Sequence, residues 1–214
     1  MTLTQNTWSL DLAEDIEVPG WLFIPKDMDD EQRNEWVATV LDDLIGKEGW
    51  DGEPITKDEA LDVLTAGIAE SDTADSIATF QAWPPLAGDI ATCHIGLYPS
   101  DEMPDWIDSD AIVHRFDAPH IGPGIQCSTK REVVNDDGPS VPLAGVHFVF
   151  DDGESTLVVS VAEAYEPLTV YALRGAMALL ATLRLVRSSD GKSFQSVEFD
   201  GVLEDSPWQF EESA

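Results

Sequence analysis

Basic residues are scarce in this chain of 214 residues: 11 Lys and Arg stand against 42 Asp and Glu, which leaves a formal charge of −31. Nucleic-acid binding needs Lys and Arg to neutralise phosphates, and an anionic membrane surface attracts basic segments for the same reason. The composition therefore predicts neither a nucleic-acid partner nor a membrane partner. It leaves an acidic domain that meets a basic or neutral protein, a carboxylate-rich metal protein, or a chain adapted to high salt.

Cysteine is also rare. Cys93 and Cys127 occur without a CxxC motif and without a His at zinc-finger spacing, so the sequence predicts neither a disulfide framework nor a structural zinc site. We expect both to be small core residues, which would form a bridge only if their strands are neighbours. Residues 1–5 contain neither a basic region nor an apolar stretch, so no secretory signal is visible and we expect a cytoplasmic protein.

One stretch, Leu168 to Val186, is almost wholly apolar and nearly long enough for a membrane span. Two arginines argue against a span, because Arg174 near the centre and Arg184 near the end would be costly in lipid. Apolar residues recur here at helical spacing, namely Val170, Leu173, Met177 and Leu180. The pattern instead predicts a buried core helix that lies on a sheet.

The chain holds enough apolar material to fold despite its charge. Two like charges about 10 Å apart in water repel by only about 0.4 kcal/mol, whereas a buried Leu or Val contributes about 1.5–3 kcal/mol. Apolar residues make up 43% of the chain, with seven Trp and eight Phe, so we expect one domain over residues 1–214 rather than disorder. Residues 1–18 and 204–214 are expected to be loosely attached ends.

Two amphipathic helices are predicted early in the chain, after a short apolar strand at Trp21 to Ile24. Asp29 or Asp30 caps the first helix, and Thr56 with Glu59 forms a capping box at the start of the second. Both helices present an acidic outer face. Because residues 1–110 hold 26 acids and four bases, this half is the expected docking face for a basic partner.

From residue 77 the apolar period changes from helical to alternating, which predicts a meander of strands before the long helix. The predicted strands cover residues 77–83, 90–98, 112–116, 125–134, 146–150 and 156–165. A final edge strand is expected within residues 194–202. This order predicts an α+β fold with a mainly antiparallel sheet of about five to seven strands flanked by helices.

The predicted closing strand and helix also carry a family resemblance. Leu157 to Tyr165, followed by Pro167 to Val186, resembles the last strand and helix of PsbP-like α+β proteins. The resemblance covers only these two elements and is one of pattern, not of motif. It implies an antiparallel sheet flanked by helices, and a protein that binds larger partners rather than catalysing a reaction.

Signatures of catalysis are missing from the chain. Ser160 lies within a predicted strand without a GxSxG motif, and no Cys is paired with a His in the sequence. The acidic loops do not reproduce the spacing of an EF-hand, and no phosphate-binding glycine motif is complete. These absences favour a non-enzymatic protein without a cofactor.

A cluster of histidines provides the alternative. His114, Asp117 and His120, joined by His94 from another predicted strand, offer imidazole and carboxylate groups that zinc or iron binds. They would make a metal-dependent hydrolase or oxygenase. The spacing matches no ligand signature, and His114 shares a strand face with apolar residues, which favours a core histidine.

Two aromatic segments are the predicted partner-binding site. Large apolar side chains stand in stretches that otherwise resemble loops, where exposed patches mark interaction sites. These residues are Trp83, Pro84, Pro85, Leu86, Met103 and Trp106. The alternative is that both Trp side chains fold inward and close the ends of the sheet, since Trp is highly buried on average.

Three functional hypotheses follow. The leading one is a non-enzymatic domain that binds another protein, basic or neutral, through the acidic helices and the aromatic segments. The second is the metal-dependent hydrolase or oxygenase. The third is mimicry of DNA charge, by which the acidic helices would occupy a nucleic-acid-binding protein.

Overall fold

The computed structural model describes residues 2–5, 8–12, 21–45, 54–82, 90–106, 111–134 and 140–201, and it confirms an α+β fold with a mainly antiparallel sheet. The helices are α1 (Asp30–Leu44), α2 (Lys57–Thr73) and α3 (Glu166–Leu180). The strands are β1 (Thr2–Gln5), β2 (Trp8–Asp11), β3 (Trp21–Ile24), β4 (Ala78–Ala82), β5 (Thr92–Pro99), β6 (Ile112–Ala118), β7 (Gly122–Val134), β8 (Ser140–Asp151), β9 (Ser155–Tyr165) and β10 (Arg184–Arg187).

Seven strands form the large sheet in the order β3-β4-β5-β9-β8-β7-β6, and all neighbours are antiparallel. Residues directly opposite one another share a face of a sheet, so the register sorts the side chains into two faces. The core face carries the row Ala78, Ile95, Val159, Phe148, Gln126 and His114. The opposite face, here the helix-pair face, carries the row Thr79, His94, Ser160, His147, Cys127 and Val113.

Helix α3 covers the core face. Its small residues let it approach the sheet closely: a Cβ added at Gly175 would overlap the indole ring of Trp21 on β3. Phe148 and Phe150 are fully buried under this layer, and Phe116 packs against Phe148 with ring centroids 4.6 Å apart. Burial of these large rings supplies the apolar area that outweighs charge repulsion.

Helices α1 and α2 lie at the β3–β4 end of the helix-pair face. Both predicted N-termini are confirmed, because Asp29 with Gln32 and Thr56 with Glu59 form capping boxes. Helix α2 packs on the sheet through Gly67, where an added Cβ would stand 2.7 Å from Cδ1 of Ile24. Further along this face, side chains of Met103, Trp106 and Phe199 pack on the sheet.

The two ends of the described chain differ from expectation. The N-terminal segment, predicted to be loosely attached, contributes Trp8 and Leu10 to the core, because β2 is the middle strand of a second sheet ordered β1-β2-β10. The predicted helix over residues 168–186 ends at Leu180, since the chain then turns to pair β10 with β2. Residues 13–18 and 204–214 lie outside the described part.

The final edge strand predicted within residues 194–202 is wrong for the described residues. The chain there makes one isolated bridge, Val186 to Ser193, and then buries Phe194 completely against Trp8. Burial of the Phe194 ring, rather than strand pairing, therefore holds this segment on the core. In the described part of the chain, no helix has the length and apolarity that crossing a bilayer requires.

Candidate functional site

The candidate site is the middle of the helix-pair face, where polar side chains replace apolar ones. His94, Ser160 and His147 lie side by side on β5, β9 and β8 and are only partly buried. The same three strands present Ile95, Val159 and Phe148 to the core face. Titratable and hydroxyl groups concentrated on one partly open face of a sheet mark the surface on which a function is to be sought.

A chain of hydrogen bonds joins helix α2 to this row. Nε2 of His94 lies 3.0 Å from Oε1 of Glu70, which also accepts from the Thr92 hydroxyl at 2.7 Å. An ionised carboxylate only accepts, so Nε2 of His94 donates to Glu70, and Nδ1 lies 3.1 Å from the Thr79 hydroxyl, within hydrogen-bond distance. The hydrogen bond from His94 lowers the pKa of Glu70, with burial acting in the opposite direction and Thr92 adding to the lowering. This network fixes α2 on the sheet.

His147 and Ser160 form the second polar pair, with Nδ1 and Oγ 2.8 Å apart. The indole ring of Trp106 packs on the imidazole at a centroid distance of 5.4 Å. Burial lowers the pKa of His147 from its ordinary value of 6.5, so the ring is neutral at pH 7. A hydroxyl bonded to a neutral imidazole resembles a nucleophile with its base, but among the described residues no group is hydrogen-bonded to Nε2 of His147 to orient it.

The pKa of His147 predicts a pH dependence of stability. His147 binds a proton near pH 6.5 in the unfolded chain and only at lower pH in the folded chain. The contribution of neutral His147 to stability is therefore fully present above about pH 6.5, and it is lost as the pH falls through the folded pKa. His147→Gln removes this titration and keeps a polar partner for Ser160. We expect urea unfolding between pH 7 and pH 5 to show a smaller loss of stability in H147Q than in wild type. Equal losses would show that His147 titrates alike in both states.

Beside this pair lies a pocket of about 110 Å³, which we call the Trp106 pocket. Met103 and Trp106, both predicted to bind a partner, are part of its wall. The pocket is lined by Ser100, Met103, Pro104, Asp105, Trp106, Val149, Asp151, Thr156 and Phe199. The sequence allowed two arrangements for Trp106, an inward-folded ring and a ring at a binding surface. Trp106 combines them, because it folds inward onto the sheet and still borders an open pocket. Trp83, Pro84, Pro85 and Leu86 lie outside the described residues.

The histidines predicted to bind a metal are not brought together. His94 lies on the helix-pair face, whereas His114 lies on the core face, is 4% exposed and sits four strands away, about 19 Å at about 4.8 Å per strand. Asp117 is exposed near the end of β6, and His120 lies in the turn that follows. Throughout the described ranges, no three His, Cys, Asp or Glu side chains form a group that could hold a metal ion.

The cysteines give no reactive group either. Cys93 and Cys127 are free, and they lie on β5 and β7, which are not neighbours. Burial raises the pKa of both thiols to about 12. Both therefore stay protonated at neutral pH, and neither is a nucleophile or a metal ligand there.

Charge on the helix-pair face is strongly negative. Helices α1 and α2 contain ten acids and two bases, and neither helix has a base in its last turn. Several of the few bases elsewhere face carboxylates of the same chain. These ion pairs are Lys130–Glu166, Arg131–Glu163 and Arg187–Glu154. These three pairs neutralise part of the positive charge of the described chain.

Tyr98 connects the acidic helices to the Trp106 pocket. Its ring lies over Gly96, where an added Cβ would overlap it, and its hydroxyl donates to the carbonyl of Asp75 just after α2 at 2.6 Å. The same ring packs in the apolar cluster that contains Met103 and Trp106. The helix pair and the pocket are thus adjoining parts of one surface.

Sequence reasoning missed the pairing of His147 with Ser160, although a signal was present. The Asp-Gly turn at residues 152–153 predicts a hairpin, and its register sets Asp151 opposite Thr156 and so His147 opposite Ser160. Counting back from the turn would have found the pair. The Glu70–His94 contact had no such signal, because it depends on where α2 docks.

Comparison with known proteins leaves the chain without an assigned relative. No protein-family model matches it, and no curated protein sequence is significantly similar to it. The PsbP-like resemblance therefore stays a prediction, and function has to be inferred from the geometry of the site.

Proposed function

We propose that this chain is a non-enzymatic domain that binds a basic protein partner on its helix-pair face. The partner spans the acidic helices and the Trp106 pocket. One observation carries the proposal: the acidic helix pair and the apolar pocket adjoin on the same face, joined by Tyr98. Charge and an apolar anchor side by side are what a specific protein interface combines.

The acids of α1 favour an external cation. Asp42 and Asp43 stand in its last turn, where the helix macrodipole leaves partial negative charge and cations are preferred. Both carboxylates are exposed. A Lys or Arg of a partner placed here interacts with both the carboxylates and the helix end, so docking relieves repulsion within the domain.

At the C-terminal end of α2, the preference for a cation is met by basic residues of the chain itself. The ammonium group of Lys26 donates to the carbonyls of Ala74 and Ser76 at 2.6 and 3.2 Å, and Arg33 pairs with Asp72 at 2.8 Å. A cation of the chain itself thus occupies the end of α2. The end of α1 is the position at which a partner would supply the equivalent charge.

The free, buried thiols fit a protein of a reducing compartment, as a cytoplasmic domain would be. The neutral His147 and the apolar walls of the adjoining pocket supply apolar and hydrogen-bonding surface beside the acidic groups. Such surface confers specificity on an interface that electrostatic attraction alone would leave nonspecific.

Fluorescence anisotropy with a labelled, lysine-rich peptide of about 16 residues tests the proposal at about 150 mM salt. The test variant removes three exposed acids from the helix pair: Asp42→Asn, Asp43→Asn and Asp62→Asn. We expect affinity to fall about tenfold, since exposed ion pairs contribute about 0.2–1 kcal/mol each and 1.4 kcal/mol is one factor of ten.

The matched control removes the same charge from elsewhere: Asp11→Asn, Glu132→Gln and Asp190→Asn. We expect the affinity of this variant for the peptide to fall by less than about twofold, because electrostatic attraction is screened over a distance of about 8 Å at this ionic strength. Equal losses of affinity in the two variants would show that the peptide binds through net charge alone. Absence of binding to the wild type would reject the proposal.

A further inference from the structure

We infer that the Trp106 pocket takes the guanidinium end of an arginine side chain from the partner. This inference rests on the proposed function and names the group that the partner inserts. It is carried by the pocket's size, by its aromatic walls and by the carboxylates at its edge.

Size limits the occupant. The pocket measures about 110 Å³, whereas pockets for whole small-molecule ligands measure about 300–1,000 Å³. The space suits the end of one side chain. A metabolite or cofactor of ordinary size does not fit, which agrees with a role in protein recognition rather than in catalysis.

The walls suit an amphipathic cation. Trp106 and Phe199 are aromatic, and Met103 and Val149 are aliphatic. The methylene stem of an arginine packs on such apolar walls while its charged end reaches their edge. The aromatic faces also attract the cation, with Trp the most favourable of the ring types.

Carboxylates stand where the charged end would lie. Asp151 accepts hydrogen bonds from the amide of Gly153 at 2.5 Å and from the Thr156 hydroxyl at 2.6 Å, which hold its side chain in place. A carboxylate offers about four acceptor positions, so Asp151 retains capacity for a guanidinium. Asp105 is exposed beside Trp106 on the same pocket wall.

The pocket is held in one shape by backbone contacts. The amide of Val197 donates to the carbonyl of Asp151 at 2.8 Å, and Oγ of Ser196 donates to the carbonyl of Pro123 at 2.6 Å. These bonds place Phe199 against the sheet. A preorganised pocket loses less entropy when its occupant enters.

The molecule contains an arrangement of the same kind elsewhere. Cζ of Arg187 lies 4.9 Å from the centroid of the Trp8 ring, and its Nη2 donates to Oε2 of Glu154 at 3.1 Å. An arginine there stacks on a tryptophan and pairs with a carboxylate at once. The Trp106 pocket likewise places a tryptophan and carboxylates together, and none of its described lining residues is an arginine.

Arginine is favoured over lysine on physical grounds. A guanidinium is planar, stacks on aromatic rings and is more weakly hydrated than an ammonium ion. It therefore enters a narrow apolar pocket at a smaller desolvation cost and pairs with a carboxylate through two parallel hydrogen bonds.

Two labelled peptides of equal length, charge and spacing, one with arginine and one with lysine at every basic position, test the inference by anisotropy. We expect wild type to bind the arginine peptide about fivefold more tightly. Trp106→Leu should weaken binding of the arginine peptide more than binding of the lysine peptide and so remove this preference. Circular dichroism checks that the variant is folded.

A second, milder variant tests the pocket without risk to folding. Asp105→Asn should lower the affinity for the arginine peptide about threefold. The control is Asp101→Asn, which removes an exposed acid of the same segment that does not line the pocket, and it should lower the affinity for both peptides equally and by less. Equal affinities for the two peptides in wild type would overturn the arginine pocket and leave the proposed function standing. Failure of both peptides to bind would overturn both.

Discussion

Raising NaCl from about 10 mM to about 1 M raises the melting temperature by about 10 °C, as the charge of the chain leads us to expect. The Debye length shrinks over this range from about 30 Å to about 3 Å, which screens most repulsion between surface carboxylates. Each like-charge pair at about 10 Å costs about 0.4 kcal/mol, so about eight such pairs amount to about 3 kcal/mol. In a chain of this size each kcal/mol shifts the melting temperature by about 2–4 °C.

Differential scanning calorimetry in NaCl and in KCl measures this effect without the preferential exclusion that sulfate would add. The variant lacking the acids at 42, 43 and 62 carries three fewer negative charges and should gain less from salt than wild type does. A melting temperature that stays flat from dilute to molar salt would contradict the claim that surface repulsion opposes folding. Sucrose is the uncharged control, because it acts on burial and leaves ion screening unchanged.

Gly175→Ala should lower the free energy of unfolding by about 2 kcal/mol, although the same change in an ordinary helix interior stabilises by about 1 kcal/mol. The reason is the contact of α3 with β3: an added Cβ would overlap the indole ring of Trp21. Trp21 also packs against Phe80 in a T-shaped arrangement, so a shift of its ring would disturb that contact. Urea unfolding gives the sign of the change directly.

A double-mutant cycle identifies the cause. In a Trp21→Leu background the clash is removed. Gly175→Ala should therefore lower the free energy of unfolding much less in that background than in wild type. A coupling free energy near zero, or a gain of stability from Gly175→Ala alone, would contradict the close packing of α3 on the sheet. The predicted loss corresponds to a melting temperature lower by about 4–8 °C.

Local signals in the sequence were sufficient for most of the fold. A capping box at Thr56 and a capping Asp at 29 or 30 located the early helices, and alternation from residue 77 located most strands of the large sheet. These features depend on neighbours within a few residues, which is why the sequence reveals them. The α+β class followed from the order of the elements.

Long-range pairing explains where the prediction was wrong. The apolar stretch after Leu180 continues at helical spacing, but Leu185 is needed opposite Leu10 in a strand pair that joins the two ends of the chain. No local pattern reports a partner some 175 residues away. Phe194 likewise belongs to a contact with Trp8 rather than to the edge strand that its own neighbours suggested.

The candidate site was predictable only in part. Met103 and Trp106 were singled out as large apolar residues in a loop, and both line the pocket. The histidines were grouped by their closeness in sequence, which fails because alternate residues of a strand point to opposite faces and strands separate them further. Asp151 and Thr156 come from the β8–β9 hairpin, but Phe199 belongs to a much later segment and joins them only once that segment has packed on the sheet.

Photo-crosslinking with an arginine-rich peptide that carries a benzophenone group beside one arginine tests the central claim most directly. Crosslinks mapped by mass spectrometry should fall on Met103–Trp106 and on the helix pair, and they should disappear in molar salt. Crosslinks concentrated on α3, which covers the opposite face of the sheet, would contradict a binding surface formed by the acidic helices and the Trp106 pocket.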